Sequence, residues 1–234
     1  MPNAISLFSG AGGMDIGFSK AGFAVKLCVE IDSACCETLQ KNLPKAKIFN
    51  ADVSKLSGQD LLMKSGLEFG EVDMLFGGPP CQSFSLAGNR AGLNDSRGRL
   101  VFDFVRLVKE LAPKSFVMEN VSAMASWQKG QVIKEIEKAF SSKFSLNGQT
   151  FKYDVTHKTL NAADFGVPQS RKRIFIVGNR LGVDFEFPKA THGLAVPYVT
   201  VGETLSSLPD ADPPSQTALR VSQSIPGRRA SHGY

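Results

Sequence analysis

The stretch AISLFSGAGGMDIGF, residues 4–18, joins a short apolar run to a glycine-rich segment and the start of an amphipathic pattern. The run AISLF predicts a buried strand, and the residues near 13 to 22 predict a helix. Glycines between the two let the backbone turn tightly and leave room for a ligand, because they carry no Cβ. Their spacing departs from the GxGxxG of dinucleotide-binding proteins, which weakens that interpretation. We expect a strand, a ligand-facing loop and a helix.

The same alternation of short apolar runs and longer amphipathic segments continues along the chain. It predicts an α/β fold with a mainly parallel sheet and helices on both faces. The last two predicted strands are close in sequence, so we expect an antiparallel hairpin at the sheet edge. The predicted strands are 4–8, 25–31, 46–50, 72–76, 114–118, 151–160 and 173–178, and the predicted helices lie near 13–22, 33–43, 58–66, 99–112 and 128–140.

The composition is that of a globular protein with one sizeable core. The 234 residues are 42% hydrophobic and 21% charged, and no apolar run approaches the length of a membrane span. The N-terminus MPNAISLF lacks the regions of a signal peptide, so we expect a cytoplasmic protein with no membrane partner. The four cysteines have neither the spacing of a zinc site nor the density of a disulfide framework, so we expect reduced thiols and no metal.

Charge and proline content divide the chain into two parts. The net charge is +5, which is compatible with a polyanionic partner. Residues 179–234 contain five basic and five acidic residues, so the whole positive excess lies in residues 1–178, while six of the twelve prolines fall in 179–234. We predict a compact domain over 1–178 and a loop-rich segment over 179–234.

Acidic residues lie at or just after the carboxyl ends of two predicted strands, where ligands gather in a parallel sheet. Glu30 could accept hydrogen bonds from ribose hydroxyls, and Asp52 could receive an adenine amino group. Each could instead be a helix cap. Together with the glycine loop, they favour a cofactor that contains a nucleoside.

The stretch LFGGPPCQSF, residues 75–84, places Cys81 behind two glycines and two prolines. Cys81 could be a buried apolar residue, or it could be a nucleophile on a loop that the prolines stiffen. A thiol is a few per cent thiolate at neutral pH, and nearby cations would increase that fraction.

Two further stretches carry candidate catalytic side chains. Glu119 lies at the end of SFVMENV, where burial would raise its pKa and let it donate a proton; the alternative is a salt-bridged or capping carboxylate. Arg171 and Arg173, in QSRKRIFIVG, would share a face in an extended strand. They could bind phosphate or support a developing charge, or form an exposed basic strand end.

Taken together, these motifs resemble those of the DNA cytosine-5 methyltransferases. The resemblance rests on ISLFSGAGGMDIGF, VEID, GGPPCQSFS, MENV and QSRKRIFIVG, in the family's order over residues 5–178. It implies a Rossmann-like fold that binds S-adenosylmethionine and releases S-adenosylhomocysteine. It also implies a double-stranded DNA substrate with a flipped-out cytosine, and a place in a restriction system.

The resemblance implies a role for each matching residue. Cys81 would add to carbon 6 of cytosine, Glu119 would engage ring N3, and Arg171 and Arg173 would position the base. The implied cofactor contacts are Phe8, Gly10, Ala11, Gly12, Gly13, Glu30, Ile31, Asp52 and Pro79. The long polar segment 83–98 is predicted to be a mobile lid that closes on DNA.

Other functions fit the residues less well. A zinc nucleobase deaminase would need PCxxC, but Phe84 occupies the position of the second cysteine. A cysteine hydrolase would need a histidine signature, which the chain lacks, and a dinucleotide oxidoreductase would leave PPCQ and ENV unexplained. An RNA-directed cytosine methyltransferase stays open, because the shared chemistry does not name the polymer.

The resemblance also implies missing elements. The family continues into a target recognition region and a final asparagine-bearing motif, whereas here VTVGETLSSLPD leads only to RRASHGY. We expect either one subunit of a split methyltransferase, whose partner polypeptide supplies the rest, or a truncated chain. A non-catalytic DNA-binding role is the third alternative, and the DNA recognition sequence is not predicted.

Overall fold

Strands and helices follow one another along the chain much as the apolar pattern predicts. The computed structural model describes residues 1–80 and 99–208. The strands are β1 (Asn3–Leu7), β2 (Ala24–Glu30), β3 (Lys47–Asn50), β4 (Met74–Gly77), β5 (Ser115–Val121), β6 (Phe144–Leu146), β7 (Gln149–Phe151), β8 (Asp154–Asn161) and β9 (Lys172–Asn179). The helices are α1 (Gly13–Lys20), α2 (Ser33–Asn42), α3 (Gly58–Ser65), α4 (Arg99–Leu111), α5 (Gln131–Ser141) and α6 (Val201–Leu205).

Seven of the described strands form one sheet in the order β3-β2-β1-β4-β5-β9-β8. The pairs from β3 through β5 are parallel, and β9 runs antiparallel to β5. The predicted mainly parallel α/β sheet with an antiparallel edge is therefore confirmed.

The predicted strand 151–160 is two strands in the structure. Residues 149–151 form β7, which pairs with β6 in a separate two-stranded antiparallel sheet. Asn147 and Gly148 connect these strands with φ of 51° and 75°. Positive φ at both positions is what a two-residue hairpin turn requires, and Asn-Gly is the sequence that favours it.

An aromatic cluster forms part of the core beside β5. The rings of Phe116 and Phe140 stack with centroids 4.3 Å apart, and Phe104 and Tyr153 meet Phe116 edge to face. Helix α4 contributes to this core through one apolar stripe, because its inward positions recur every three or four residues. The buried residues of α4 are Val101, Phe104, Val105, Leu107, Val108 and Leu111.

The chain divides into two compact units. The first comprises Met1–Leu160 and Lys172–Pro188, and the second comprises Asn161–Arg171 and the segment from Lys189 onward. The predicted domain boundary after residue 178 stays a prediction; in the structure, the first unit extends ten residues further, and the connection between β8 and β9 groups with the second unit.

Two classes of feature are absent from residues 1–80 and 99–208. Within these ranges, none of the helices combines the length and the apolarity needed to cross a bilayer. The same ranges contain no group of three or more His, Cys, Asp or Glu side chains arranged to hold a metal ion.

Candidate active site

The carboxyl ends of four neighbouring strands are level with one another. Leu7 of β1 is paired with Val29 of β2 and with Gly77 of β4, and Gly77 is paired in turn with Met118 of β5. One residue beyond this row come Phe8, Glu30, Gly78 and Glu119. Strand pairing therefore brings Gly78 to the same edge as three predicted site residues that are far apart in sequence, Phe8, Glu30 and Glu119.

The loop after β1 has a tightly curved backbone. Phe8, Gly10 and Gly12 have φ of 55°, 54° and 90°. A Cβ on Gly12 would lie 2.9 Å from a methyl carbon of Leu39, so this position has no room for a side chain. Gly10 and Gly13 have open space instead, since a Cβ on either would meet nothing within 4 Å. Tight packing on one side and open space on the other make this loop a suitable cradle for a ligand.

Glu30 anchors this loop. Its carboxylate accepts hydrogen bonds from the backbone N–H groups of Gly10, Ile31 and Asp32, at 2.7, 2.8 and 2.9 Å. From the sequence, Glu30 could be either a helix cap or a ribose contact. The structure shows a further role, in which its carboxylate holds the backbone of the loop. Next to it, Ile31 is 67% exposed, which leaves an apolar surface beside the loop.

Asp52 makes the helix-capping contacts that the sequence left as one alternative. Its side chain accepts hydrogen bonds from the backbone N–H and the hydroxyl of Ser54, at 3.0 and 2.7 Å. The side-chain bond from Ser54 lowers the pKa of the Asp52 carboxyl. Its predicted contact with an adenine amino group stays a prediction.

Glu119 and Arg173 form an ion pair across β5 and β9. Glu119 Oε1 lies 3.0 Å from Arg173 Nε, and the two side chains are 20% and 25% exposed. Arg173 is paired with Val121 in the antiparallel register, so Glu119 and Arg173 are diagonal neighbours on one face of the sheet. The salt-bridged state of Glu119 that the sequence left open is therefore observed.

The backbone after β4 packs closely against these groups. A Cβ on Gly78 would lie 3.1 Å from Glu119 Oε2, so glycine lets this backbone approach the carboxylate. The side-chain amide of Asn120, only 2% exposed, donates a hydrogen bond of 3.0 Å to the carbonyl of Pro79. Asn120 thus holds the chain two residues before Cys81.

Two predictions about this region fall outside the described residues. Cys81, the predicted nucleophile, is one of them, and the predicted lid over 83–98 is the other.

Arg171 does not belong to the strand that carries Arg173. Strand β9 begins at Lys172, and Arg171 lies in the second compact unit. Its backbone N–H donates to Asn161 Oδ1 at 2.9 Å, and its carbonyl accepts from the N–H of Ala162 at 3.0 Å. The alternation that predicts a shared face for the two arginines therefore applies only from Lys172 onward.

The sequence analysis missed Asp15, in the first turn of α1. This carboxyl is fully buried, and the thiol of Cys28 donates a hydrogen bond of 3.3 Å to its Oδ1. Burial raises the pKa of Asp15. The available signal was an acidic residue inside the otherwise small and apolar stretch GGMDIGF.

Comparison with known proteins points to one family. A family model described as C-5 cytosine-specific DNA methylase matches residues 3–226. The chain is 49% identical to the Type II methyltransferase M.AquIA of Picosynechococcus, over 98% of both chains. It is also 40% identical to the Type II methyltransferase M.XorII of Xanthomonas oryzae. That alignment covers 90% of this chain and 47% of the relative.

Solved structures agree with the sequence comparisons. A DNA modification methyltransferase encoded within an E. coli prophage superposes with a TM-score of 0.72 at 32% identity, over 90% of this chain and 56% of that one. The Dnmt2 methyltransferase of S. pombe superposes with a TM-score of 0.57 at 18% identity, over 79% of this chain and 51% of that one, which is a likeness of fold. The chain thus spans almost all of M.AquIA and about half of these longer relatives.

Proposed function

The chain belongs to the C-5 cytosine-specific DNA methylase family, and on that premise we propose that it transfers a methyl group from S-adenosylmethionine to carbon 5 of cytosine in DNA. The observation that carries this proposal is the Glu119–Arg173 ion pair, with its 3.0 Å contact, beside the Gly78–Pro79 backbone that leads to Cys81. A base-binding carboxylate would then lie beside the described segment that leads in sequence to the predicted nucleophile.

The residues around the glycine loop fit the proposed cofactor. Gly10 and Gly13 leave open space above the backbone, and Ile31 offers an exposed apolar surface for a purine ring. Among the described residues, Glu30 accepts one N–H at Oε2 and two at Oε1, which would leave a lone pair on Oε2 for a ribose hydroxyl. When bound, the cofactor would supply an electrophilic methyl group. Its proposed contacts are Phe8, Gly10, Ala11, Gly12, Gly13, Glu30, Ile31, Asp52 and Pro79.

Covalent addition solves the chemical difficulty of this reaction. Carbon 5 of cytosine is a poor nucleophile, so the thiolate of Cys81 first forms a bond to carbon 6. The electron pair of the carbon 5–carbon 6 double bond then becomes available at carbon 5, which would take the methyl group as the sulfur–methyl bond breaks and S-adenosylhomocysteine is left. Loss of the carbon 5 proton to a base expels the thiolate and restores the ring.

Glu119 and Arg173 would stabilise the negative charge that develops on the cytosine ring during this addition. A proton shared between the Glu119 carboxyl and ring N3 stabilises the electron density that the thiolate adds. Arg173, with its guanidinium 3.0 Å from the carboxylate, would orient Glu119 and offset charge nearby. Arg171 would position the base or contact the DNA, as the family pattern implies.

The target base must leave the helical stack, because its ring atoms are shielded inside a duplex. The proposed substrate is therefore double-stranded DNA with a flipped-out cytosine, and a role in a restriction system is inferred from the names of the Type II relatives. A cytoplasmic location goes with this role.

A second candidate concerns the form of the active enzyme. The chain aligns with 98% of M.AquIA but with only 52% and 47% of two longer relatives. This coverage favours a split enzyme, in which a second polypeptide supplies the regions that the longer relatives contain in addition.

The decisive experiment measures transfer of labelled methyl groups from S-adenosylmethionine to cytosine-containing DNA or RNA, with and without a candidate partner polypeptide. Cys81→Ser is expected to lose several orders of magnitude in rate, because a hydroxyl has far less anionic character than a thiol at neutral pH. Glu119→Gln is expected to lose about 100-fold to 1,000-fold.

Glu135 is exposed on the outer side of α5. The variant Glu135→Gln is the matched control for Glu119→Gln and is expected to keep wild-type activity. Full activity of Cys81→Ser would refute the covalent step, and transfer to RNA alone would replace DNA as the substrate. Full activity of the single chain would refute the split enzyme.

A further inference from the structure

We propose that Asp15 is a positioning residue for the cofactor loop, acting as a buried, protonated carboxylic acid that fixes the turn between β1 and α1. The inference rests on the proposed function in one respect, since it takes residues 9–13 as the loop that binds S-adenosylmethionine.

Asp15 lies where three elements of the fold meet. It belongs to the first turn of α1 and is fully buried. From β2, the thiol of Cys28 donates to Asp15 Oδ1 at 3.3 Å, and from β1, the side chain of Ser6 interacts with the same carboxyl and lowers its pKa against the larger effect of burial. Cys28 and Ser6 are themselves 0% and 1% exposed, so water does not compete for these contacts.

Ser6 connects this carboxyl to the loop. Its hydroxyl oxygen lies 2.8 Å from that of Ser9, the second residue after β1. The backbone of Ser9 is held in turn, because its N–H donates to the carbonyl of Val29 at 3.2 Å and its carbonyl accepts from the N–H of Gly12 at 3.0 Å. A displacement of Asp15 would therefore disturb the turn at both of its ends, Ser9 and Gly12.

Two carboxyl groups thus hold the loop from different sides, in contrasting environments. Glu30 accepts three backbone N–H bonds, which suit an ionised carboxylate. Asp15 Oδ2 has no hydrogen-bond partner among the residues the structure describes, and none of the ion pairs in those residues includes Asp15. An ionised carboxylate in that position would be a buried, uncompensated charge, which is far more unfavourable than a neutral acid.

The groups that face Asp15 do not supply the missing positive charge. Ser6 from β1 is neutral, and burial raises the pKa of the Cys28 thiol on β2, so Cys28 stays neutral as well. The backbone N–H at the start of α1 favours an anion, but this effect is smaller than that of burial, which raises the pKa of Asp15.

This environment predicts the sign of a pH effect. Because the folded-state pKa of Asp15 is raised, its contribution to stability is complete below the unfolded pKa and is lost as the pH rises through the folded-state value. Asp15→Asn removes the ionisation while it keeps the shape and one acceptor. Wild type should therefore lose both stability and loop order at rising pH, and Asp15→Asn should not.

The experiment compares wild type, Asp15→Asn and Asp15→Ala between about pH 5 and about pH 9. It measures S-adenosylhomocysteine affinity by calorimetry, urea unfolding, and hydrogen exchange of the Gly10 and Gly12 amides. Asp15→Asn is expected to bind within about threefold of wild type at low pH and to hold that affinity as the pH rises, whereas wild type weakens. Asp15→Ala is expected to bind about tenfold more weakly at every pH, with faster exchange at both amides.

Asp60→Asn is the matched control, since Asp60 occupies the first turn of α3 and is a capping residue. The hydrogen bond from Ser57 lowers the pKa of Asp60, so its stabilising effect is lost as the pH falls, which is the opposite sign. This control should leave cofactor affinity and loop exchange unchanged.

Three results would overturn the proposal. The first is a tenfold or larger loss of S-adenosylhomocysteine affinity in Asp15→Asn at low pH, and the second is a parallel dependence of affinity on pH in wild type and Asp15→Asn. The third is unchanged hydrogen exchange of the loop amides in Asp15→Ala. If Asp15→Asn does not fold, Ser6→Ala tests the same connection, and unchanged Gly10 exchange in that variant would also overturn it. If wild type fails to bind S-adenosylhomocysteine while exchange and unfolding behave as expected, the proposed function fails and the positioning of the loop by Asp15 stands.

Discussion

The two glycines that end β4 and begin the next loop are required for different reasons. A Cβ on Gly77 would lie 2.1 Å from the backbone carbonyl oxygen of Leu7, a group that cannot move without breaking the pairing of β1 with β4. A Cβ on Gly78 would instead lie 3.1 Å from the carboxylate oxygen Oε2 of Glu119, at the end of a flexible side chain. The first glycine is needed for the sheet, and the second leaves room for the proposed catalytic carboxylate.

We therefore predict that Gly78→Ala lowers methyl transfer by about tenfold or more while the free energy of unfolding changes by less than about 1 kcal/mol. The added methyl group displaces Glu119 by a few tenths of an ångström, and the backbone has no reason to shift. Activity and urea unfolding are measured on the same preparation.

Gly77→Ala serves as the contrasting variant, and it is expected to prevent stable folding. Wild-type activity in Gly78→Ala would show that the position of Glu119 is not critical for the reaction.

At the scale of elements, α1 combines one glycine that the fold needs with one that it does not. Gly12, the N-cap, has φ of 90° and its Cβ would lie 2.9 Å from Leu39. Gly17 lies within the helix, is exposed, and would place a Cβ in open space. The structure therefore requires glycine at position 12 but not at position 17.

Gly17→Ala is accordingly expected to stabilise the protein by about 1 kcal/mol, since alanine has less backbone freedom to lose in a helix. Thermal and urea unfolding measure the change, with Gly12→Ala as the variant that should instead be destabilised. A loss of stability in Gly17→Ala would mean that this face of α1 has a close neighbour that limits the space at Gly17.

The pairing of β9 with β5 is the element-scale event that builds the site. It inserts an antiparallel strand between β5 and β8, and its register makes Glu119 and Arg173 diagonal neighbours. A register shift of one residue would turn Arg173 to the other face of the sheet. The ion pair therefore depends on the whole ladder and not on the two residues alone.

At the scale of the whole molecule, a buried hydrogen bond links the aromatic core to the connection after α4. The hydroxyl of Tyr153 donates to the carbonyl of Pro113 at 2.6 Å, and Arg180 Nε donates to the same carbonyl at 3.1 Å. Burial raises the pKa of Tyr153, so the hydroxyl stays a donor. The carbonyl keeps one partner even without the tyrosine hydroxyl.

For this reason, Tyr153→Phe should lower the free energy of unfolding by only about 1 kcal/mol, the net value of one hydrogen bond. Losing the only donor to a buried carbonyl would be more damaging. Urea unfolding measures the change. Tyr198→Phe is the control, since Tyr198 is 51% exposed and its hydroxyl makes a solvent-exposed hydrogen bond of 3.1 Å to Asp164. This variant should have almost no effect. A loss well above 1 kcal/mol in Tyr153→Phe would mean that Arg180 cannot satisfy the carbonyl alone.

The sequence by itself determined the order of strands and helices, the mainly parallel sheet and the family. Each of these depends on local signals: apolar periods of two or 3.6 residues, glycine and proline at the turns, and motifs a few residues long. The separate β6–β7 hairpin was not predicted from the sequence, although its Asn147-Gly148 turn is a local signal. The helix-capping role of Asp52 could be predicted only as an alternative, because a cap and a ligand contact use the same residue type.

Only the tertiary structure decided how the site residues meet. The pairing of Glu119 with Arg173, the three N–H bonds to Glu30 and the burial of Asp15 with Cys28 all join positions between 13 and 54 residues apart, except for the two N–H groups adjacent to Glu30. Such contacts depend on the register and order of strands, which arise when the whole sheet closes its core. A carboxyl group has the same chemistry at residues 15, 30 and 119, and the fold alone determines which one loses its solvent, which accepts backbone N–H bonds and which pairs with an arginine.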